Sequence, residues 1–513
     1  MTALAKATKP RLVARNNTPS LEAPATGSTA WQLVLAIVTS LVLCALRLDL
    51  TRHVGFGDDE ALFVAYRFHP QPAYLDYPGL IGWLARQLPP DPRLVHLATT
   101  FAATALPWVG VLAAWAGGVS RADALRVYFP LALLPALSIG SFAFTPDLPL
   151  AYGWLIALGC SAFALRQPMA SFAVLLVSIG GGVAAALACL AKASGWVLAA
   201  CLLCTSVGRA ERARFRTIAP WAAGGMFAIL VAPLLTYWWR RGVNVALVPD
   251  VTLEHAAGML VRPLLSLTPP FAVAAWLIAA DLFSTQRREP LDRALRHHAL
   301  LPLLPLAALA SVTGAESDWL TPAYLALSLH VARMPPLRRS LGWTCIGTGY
   351  GVAFLGWCWL RTTLPFTTGQ WIGGYDPTLD TSNDFFAWGP GKELLEEAVY
   401  SARERTGQMP IVVGPSWNVC AQAEVALAGQ VHVGCDSLER DDYDLWSDPA
   451  LWTSAQTLLF ITDSRFHGTP PESFYGRPAV GVHRAVVERF GQTVRAVSVS
   501  EFDRDEDTAS RER

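Results

Sequence analysis

Between Trp31 and Thr363 the chain is a succession of apolar runs, several of them near the roughly 20 residues that cross a bilayer. In hydrocarbon a backbone must satisfy its own hydrogen bonds, so such runs are read as helices. Eleven candidate spans follow: 31–50, 94–117, 127–141, 148–166, 171–190, 194–208, 218–239, 268–284, 299–314, 319–333 and 341–363. Residues 364–513 return to soluble composition. Over the whole chain only 16% of residues are charged, against about a quarter in soluble domains. Acidic and basic residues balance at 40 each, so bulk charge points to no nucleic-acid partner. The 19 tryptophans suit a protein with two membrane–water interfaces.

The loops orient the spans. Arginines cluster at Arg121 and Arg126, at Arg166, from Arg209 to Arg216, from Arg287 to Arg296 and from Arg333 to Arg339. With eleven spans every cluster falls on the side of the basic first 30 residues, which carry Lys6, Lys9, Arg11 and Arg15. Basic loops stay cytoplasmic, so residues 1–30 read as a disordered cytoplasmic tail. The first span is too long and too far from a small-residue cleavage site for a signal peptide. Loop 51–93, the turns at 142–147 and 315–318, the junction near Lys192, loop 240–267 and everything after about 364 then lie on the extracytoplasmic face. Two amphipathic pieces in the first loop, Glu60–His69 and Pro78–Leu88, read as helices lying on the membrane surface.

The tail reads as a small α/β domain, with strands at Ile411–Gly414, Val431–Gly434 and Thr457–Thr462 and a helix from Val419 to Leu427. Its last dozen residues read as charged and disordered. Of nine cysteines, Cys420 and Cys435 lie in this tail, where an oxidising compartment would leave their pairing open.

The residues able to carry chemistry gather on the face opposite the arginines. Asp58, Asp59 and Glu60 follow the first span, where three adjacent carboxylates repel one another unless a metal, a proton-transfer role or solvent accounts for them. A helix N-cap with an acidic first turn is the bland alternative. Asp147, in Thr145-Pro-Asp-Leu-Pro-Leu150, reads as a cap for the next helix that is compatible with a catalytic role. Lys192 interrupts a long apolar stretch; an ammonium at that depth needs a partner, a wet cavity or a route to the interface. Asp76 and Tyr77 open the second amphipathic piece, Trp319 and Tyr324 flank Thr321-Pro322, and Arg262 precedes the eighth span. The sequence contains no Walker loop, dinucleotide fingerprint, zinc-spaced cysteine pair, HExxH or nucleophile elbow.

The order of these pieces resembles the GT-C superfamily of polyprenyl-phosphate-sugar-dependent membrane glycosyltransferases, in particular bacterial relatives of the protein mannosyltransferases and the lipid A aminoarabinose transferases. Asp59-Glu60 matches that family's first-loop acidic pair. Leu75-Asp-Tyr-Pro-Gly-Leu80 matches its Asp-His-Pro-Pro-Leu stretch imperfectly, with Tyr77 for the His and Gly79 for the second Pro. Thr145–Leu150, Lys192-Ala-Ser and Trp319–Tyr324 match its later blocks. Trp388-Gly before an acidic helix and Asp442-Tyr-Asp-Leu-Trp446 resemble its extracytoplasmic domain.

The resemblance implies a mainly α, GT-C-type polytopic membrane protein of about eleven helices. A catalytic membrane domain over 31–363 carries an extracytoplasmic α/β domain over 364–513, in a bacterial inner membrane with the N-terminus cytoplasmic. It implies an inverting transfer of a sugar from a polyprenyl-phosphate donor to a lipid, glycan or protein acceptor. Asp59 would be the base, with Glu60 and Asp147 beside it. Lys192, Arg262, Asp76, Tyr77, Trp319 and Tyr324 would bind the lipid phosphate or substrate. Carboxylates with water suit Mg²⁺ or Mn²⁺, so a divalent ion on Asp59, Glu60 and Asp147 stays open. A transporter or lipid flippase is the alternative, although no internal repeat is visible.

Overall fold

A computed structural model describes residues 26–133, 140–169, 171–207, 212–242, 321–330 and 380–504 except 439 and 467–470, with isolated positions from 294 to 302 and 351 to 377. Among these residues five helices are long and apolar enough to cross a membrane. They are α1 (Thr26–Leu50), α4 (Pro92–Ala116), α6 (Asp147–Arg166), α7 (Phe172–Ala191) and α9 (Ile218–Arg241). Shorter apolar helices α5 (Arg121–Leu133), α8 (Gly195–Val207) and α10 (Thr321–His330) complete the described bundle. Two of the spans begin at a capping side chain. The Asp91 carboxylate accepts from Leu94 N (3.1 Å) with Pro92 behind it, and Ser171 Oγ accepts from Val174 N (3.2 Å), covering donors that a helix end otherwise leaves bare.

Small residues let the spans approach closely. A Cβ on Gly153 of α6 would lie 2.7 Å from Ala184 O of α7, and one on Gly182 of α7 would lie 2.3 Å from Ala223 O of α9. In lipid, where apolar burial drives little association, such backbone proximity holds helices together. Outward faces stay apolar: Leu33, Val34, Ile37, Val38, Leu41 and Val42 of α1 are all exposed, as a lipid-facing surface requires.

The first loop packs against the C-terminal domain. Its two helices are α2 (Asp58–Ala65) and α3 (Leu80–Arg86), shorter than the amphipathic pieces suggested. In α2 every residue from Glu60 to Ala65 is buried, because the C-terminal domain sits on it. Phe63, Tyr66, Tyr74 and Ile81 of the loop share one core with Leu395, Val412, Val419 and Ile461 of that domain.

That domain is an α/β layer. Its sheet runs in the order β2-β1-β3-β6-β5-β4, with β1 (Ile411–Gly414) parallel to β2 (Val433–Cys435) and to β3 (Thr457–Asp463). The three strands expected from sequence are these. A long antiparallel hairpin of β5 (Arg477–Arg489) and β6 (Gln492–Asp503) extends the sheet and was not expected, and β4 (Ser473–Phe474) closes its edge. The strand thus reaches into what reads as a disordered end. Helices α11 (Gly389–Thr406) and α12 (Trp417–Ala426) pack on the sheet, followed by short turns α13 (Tyr443–Trp446) and α14 (Pro449–Ser454). Cys420 and Cys435 are both buried and both free thiols.

Candidate active site

The site forms where α2, the turn before α6 and the end of α7 meet. Helix α2 starts at Asp58 and places all three acids in its first turn, where the helix dipole favours negative charge. They divide into three roles. Glu60 is 2% exposed; it reaches back to Gly57 N (3.1 Å), lies 3.0 Å from His96 Nε2 of α4, and accepts from Phe144 N. It therefore ties the loop to the turn that carries Asp147. Asp58 turns toward the C-terminal domain and pairs with Arg465, while Gln422 Nε2 donates to it at 3.2 Å. Asp59, between them, is exposed to solvent.

The capping role expected of an aspartate in this run is performed by Glu60 instead. At the next acid, Asp147 is the first residue of α6, behind Pro146. It accepts two bonds from Lys192 Nζ, at 3.0 and 3.2 Å. The pairing follows from topology, because α6 and α7 are antiparallel neighbours and bring the start of one beside the end of the other. Lys192 stands just after α7 in extended conformation, before a turn into α8 that only glycine allows: a Cβ on Gly195 would lie 2.2 Å from Ala188 O. Lys192 and Asp147 are 8% and 24% exposed at their side chains, a partly desolvated pair that still reaches water.

An apolar cavity of about 470 Å³ opens beside this pair. Thr145, Leu148 and Pro149 line it on either side of Asp147, Leu80, Trp83 and Leu84 of α3 roof it, and Tyr152, Ile156 and Leu187 carry it down between the spans.

The remaining expected residues divide. Asp76 is exposed and Tyr77 half-buried in a tight turn closed by Tyr74 N donating to Tyr77 O (2.8 Å). Tyr77 packs edge-on to Phe63 at 4.8 Å. A Cβ on Gly79 would lie 2.2 Å from Pro72 O, which accounts for glycine where the family pattern has a second proline. Tyr324 is fully buried in the core shared by α10 and α6, not at the open end of the site. Arg262 and Trp319 lie outside the described residues, as do the spans expected at 268–284 and most of 299–314 and 341–363.

Several of the contacts around the loop were not expected from the sequence. Asp463 and Asp384 hold Arg465 (2.7 Å) and Arg495 (2.6 Å) behind Asp58. Burial, and then the charge of Asp58, push the Asp384 carboxyl up. Asp442 accepts from Leu75 N (2.8 Å) and Tyr66 Oη (3.0 Å), and burial raises it to about 7. His69 stacks on Trp446 at 3.9 Å and meets Glu424 at 2.6 Å. His96 had a signal, being ionisable within a span; Arg465 and Arg495 had none.

Three of these carboxylates already have partners. Glu60 is committed to amide donors and His96, Asp147 to Lys192, and Asp58 to Arg465. Among the described residues no three His, Cys, Asp or Glu side chains gather as a ligand set.

An apolar bundle, a first loop bearing acids and a C-terminal α/β domain seated on that loop make up the described fold. Two solved structures share it. ArnT from Cupriavidus metallidurans bound to undecaprenyl phosphate superposes with a TM-score of 0.58, covering 92% of this chain and 98% of that one at 15% identity. The archaeal oligosaccharyltransferase AglB from Archaeoglobus fulgidus, in complex with an inhibitory peptide and a dolichol-phosphate, gives 0.51 over 84% and 69% at 11% identity. No family model and no curated protein matches the sequence.

Proposed function

We propose that the chain is an inverting glycosyltransferase of the bacterial inner membrane, taking a sugar from a polyprenyl-phosphate donor to a lipid, glycan or protein acceptor on the extracytoplasmic face. One observation carries this reading: an apolar cavity between spans is lined by the chain neighbours of a lysine–aspartate pair, and the first-loop helix whose Glu60 is bonded to the same turn carries an exposed carboxylate, Asp59. A lipid tail would occupy the cavity, with its phosphate toward the Lys192–Asp147 pair. The likeness to solved structures that hold undecaprenyl phosphate and dolichol-phosphate agrees with that occupant.

In the reaction, the acceptor oxygen forms a bond to the anomeric carbon as the sugar–phosphate C–O bond breaks on the opposite face. The electron pair leaves with the polyprenyl phosphate. Lys192 stabilises the charge gained by that phosphate, the kind of preorganised contact that contributes most in a water-poor site. Asp59 accepts the acceptor's proton, and Asp147 keeps Lys192 aimed at the rim. Asp76, Tyr77, Trp319 and Arg262 are assigned to substrate binding on the family resemblance alone, and Tyr324, also expected there, is instead a core residue.

The test is Asp59→Asn in full-length protein, assayed with a synthetic polyprenyl-phosphate sugar and envelope extracts. A positioned base contributes about 10²–10⁴ in rate, so transfer drops by that factor while insertion and melting temperature stay unchanged. Full activity removes Asp59 from the role; donor transport without transfer overturns the enzyme reading.

A further inference from the structure

A second cavity, of about 390 Å³, lies at the other end of the same helices. Its walls come from the last third of α6 (Cys160, Ala164), the first half of α7 (Ser178, Gly181) and the start of α9 (Ala223, Gly224). Asp147 and Lys192 sit at the opposite ends of α6 and α7, so this is not the cavity of the candidate active site.

The rim is basic. A 3-10 turn, Arg212–Arg216, closes the mouth, with Arg214, Phe215 and Thr217 lining it. Arg214 is fastened by donating to Ala164 O (2.8 Å) and Leu165 O (2.9 Å) at the end of α6, which fixes the turn over the opening. Arg212 and Arg216 on the same turn are exposed. The segment Arg209–Arg216 holds four arginines against one glutamate, and among the described lining residues there is no carboxylate. Trp221, 66% exposed, donates from Nε1 to Phe215 O at 2.9 Å. An exposed tryptophan anchored to a basic turn marks the level of the lipid headgroups. An apolar cavity below that level and guanidinium groups at it match a molecule with acyl chains and an anionic head, and basic pockets between spans bind such lipids.

We propose that this cavity is a binding site for an anionic phospholipid, its acyl chain between α6, α7 and α9 and its headgroup on Arg212 and Arg216. The site is separate from the donor cavity and stands whether or not the transferase reading holds.

Native mass spectrometry of the full chain, released from nanodiscs containing equal dioleoylphosphatidylglycerol and dioleoylphosphatidylcholine, tests it. Wild type retains phosphatidylglycerol in preference. The double variant Arg212→Gln, Arg216→Gln loses about thirtyfold in that preference, and inorganic phosphate does not compete. Gly224→Leu tests the cavity independently: a Cβ there meets nothing within 4 Å, and leucine is the better helix former, so the variant folds while its side chain occupies the space. It releases phosphatidylglycerol, whereas Lys192→Met does not. Equal retention of the two lipids, retention unchanged in both arginine and glycine variants, or displacement by a polyprenyl phosphate overturns the proposal.

Discussion

Three consecutive acids in one helical turn face three different ways, and that divergence decides what each can do. Glu60 accepts from Gly57 N and Phe144 N and contacts His96. Glu60→Gln would set an amide N–H₂ against these donors, and a buried donor left unsatisfied costs about 1–3 kcal/mol. The variant should melt several degrees lower in detergent, and an unchanged melting temperature would contradict the structural role. Lys192 and Asp147 form a mutual pair. Lys192→Met should lower transfer about 10²–10³-fold, the loss typical of one transition-state donor, and Lys192→Arg should recover part of it. Equal activity in all three proteins would show that the pair is only structural. The sequence marked Lys192 and Asp147 as chemically costly residues at one face, but not that each is the other's partner. That fact depends on two helix ends 45 residues apart becoming neighbours.

At the scale of elements, close approach of backbones substitutes for apolar burial inside the bilayer. Helix α7 is pressed between α6 and α9 through Gly153, Gly182 and the alanines facing them. Gly153→Val would drive a branched side chain into Ala184 O, an overpacking that costs about 1–3 kcal/mol or more. It should part α6 from α7 and separate Asp147 from Lys192, so both melting temperature and activity fall together; retention of either would show that the interface can relax. Length and apolarity of the spans were legible in sequence, and α1, α4, α6, α7 and α9 lie where those runs lie. The first-loop helices were not: half-polar periodicity suggested a lipid surface, whereas the apolar side of α2 meets a protein domain more than 300 residues later in the chain. The β5–β6 hairpin escaped notice because its polarity runs against the usual pattern: Val480, Val482 and Val486 are exposed while Arg477, Arg489 and Arg495 are buried.

In the whole molecule, the C-terminal domain is fastened to the first loop through buried polar contacts, and pH should grade that attachment. Burial raises Asp442 to about 7 and Asp441 to about 6, against an ordinary value of 3.8. Between about pH 4 and 7 the folded protein keeps a proton on Asp442 that the unfolded chain has released, so stability falls as pH rises through that window and levels off above it. Asp442→Asn keeps an acceptor for Leu75 N and removes the charge. It should be more stable than wild type at pH 8 and show a shallower decline from pH 5 to pH 8, with Asp441 supplying the remainder. Thermal unfolding at the two pH values checks this, and an unaltered slope would assign the effect elsewhere.

The sequence by itself determined that this chain carries helices long and apolar enough to cross a bilayer, and roughly where the five described ones lie, because hydropathy is a local property. It also fixed the order of acids, lysine and aromatic turns from which the family resemblance arises. Only the tertiary structure decided which acid faces solvent, which one staples loop to turn, what Lys192 pairs with, and that the first loop is roofed by the tail. Those outcomes depend on contacts between residues tens to hundreds of positions apart, and no local pattern encodes which distant surface will arrive to desolvate a given side chain.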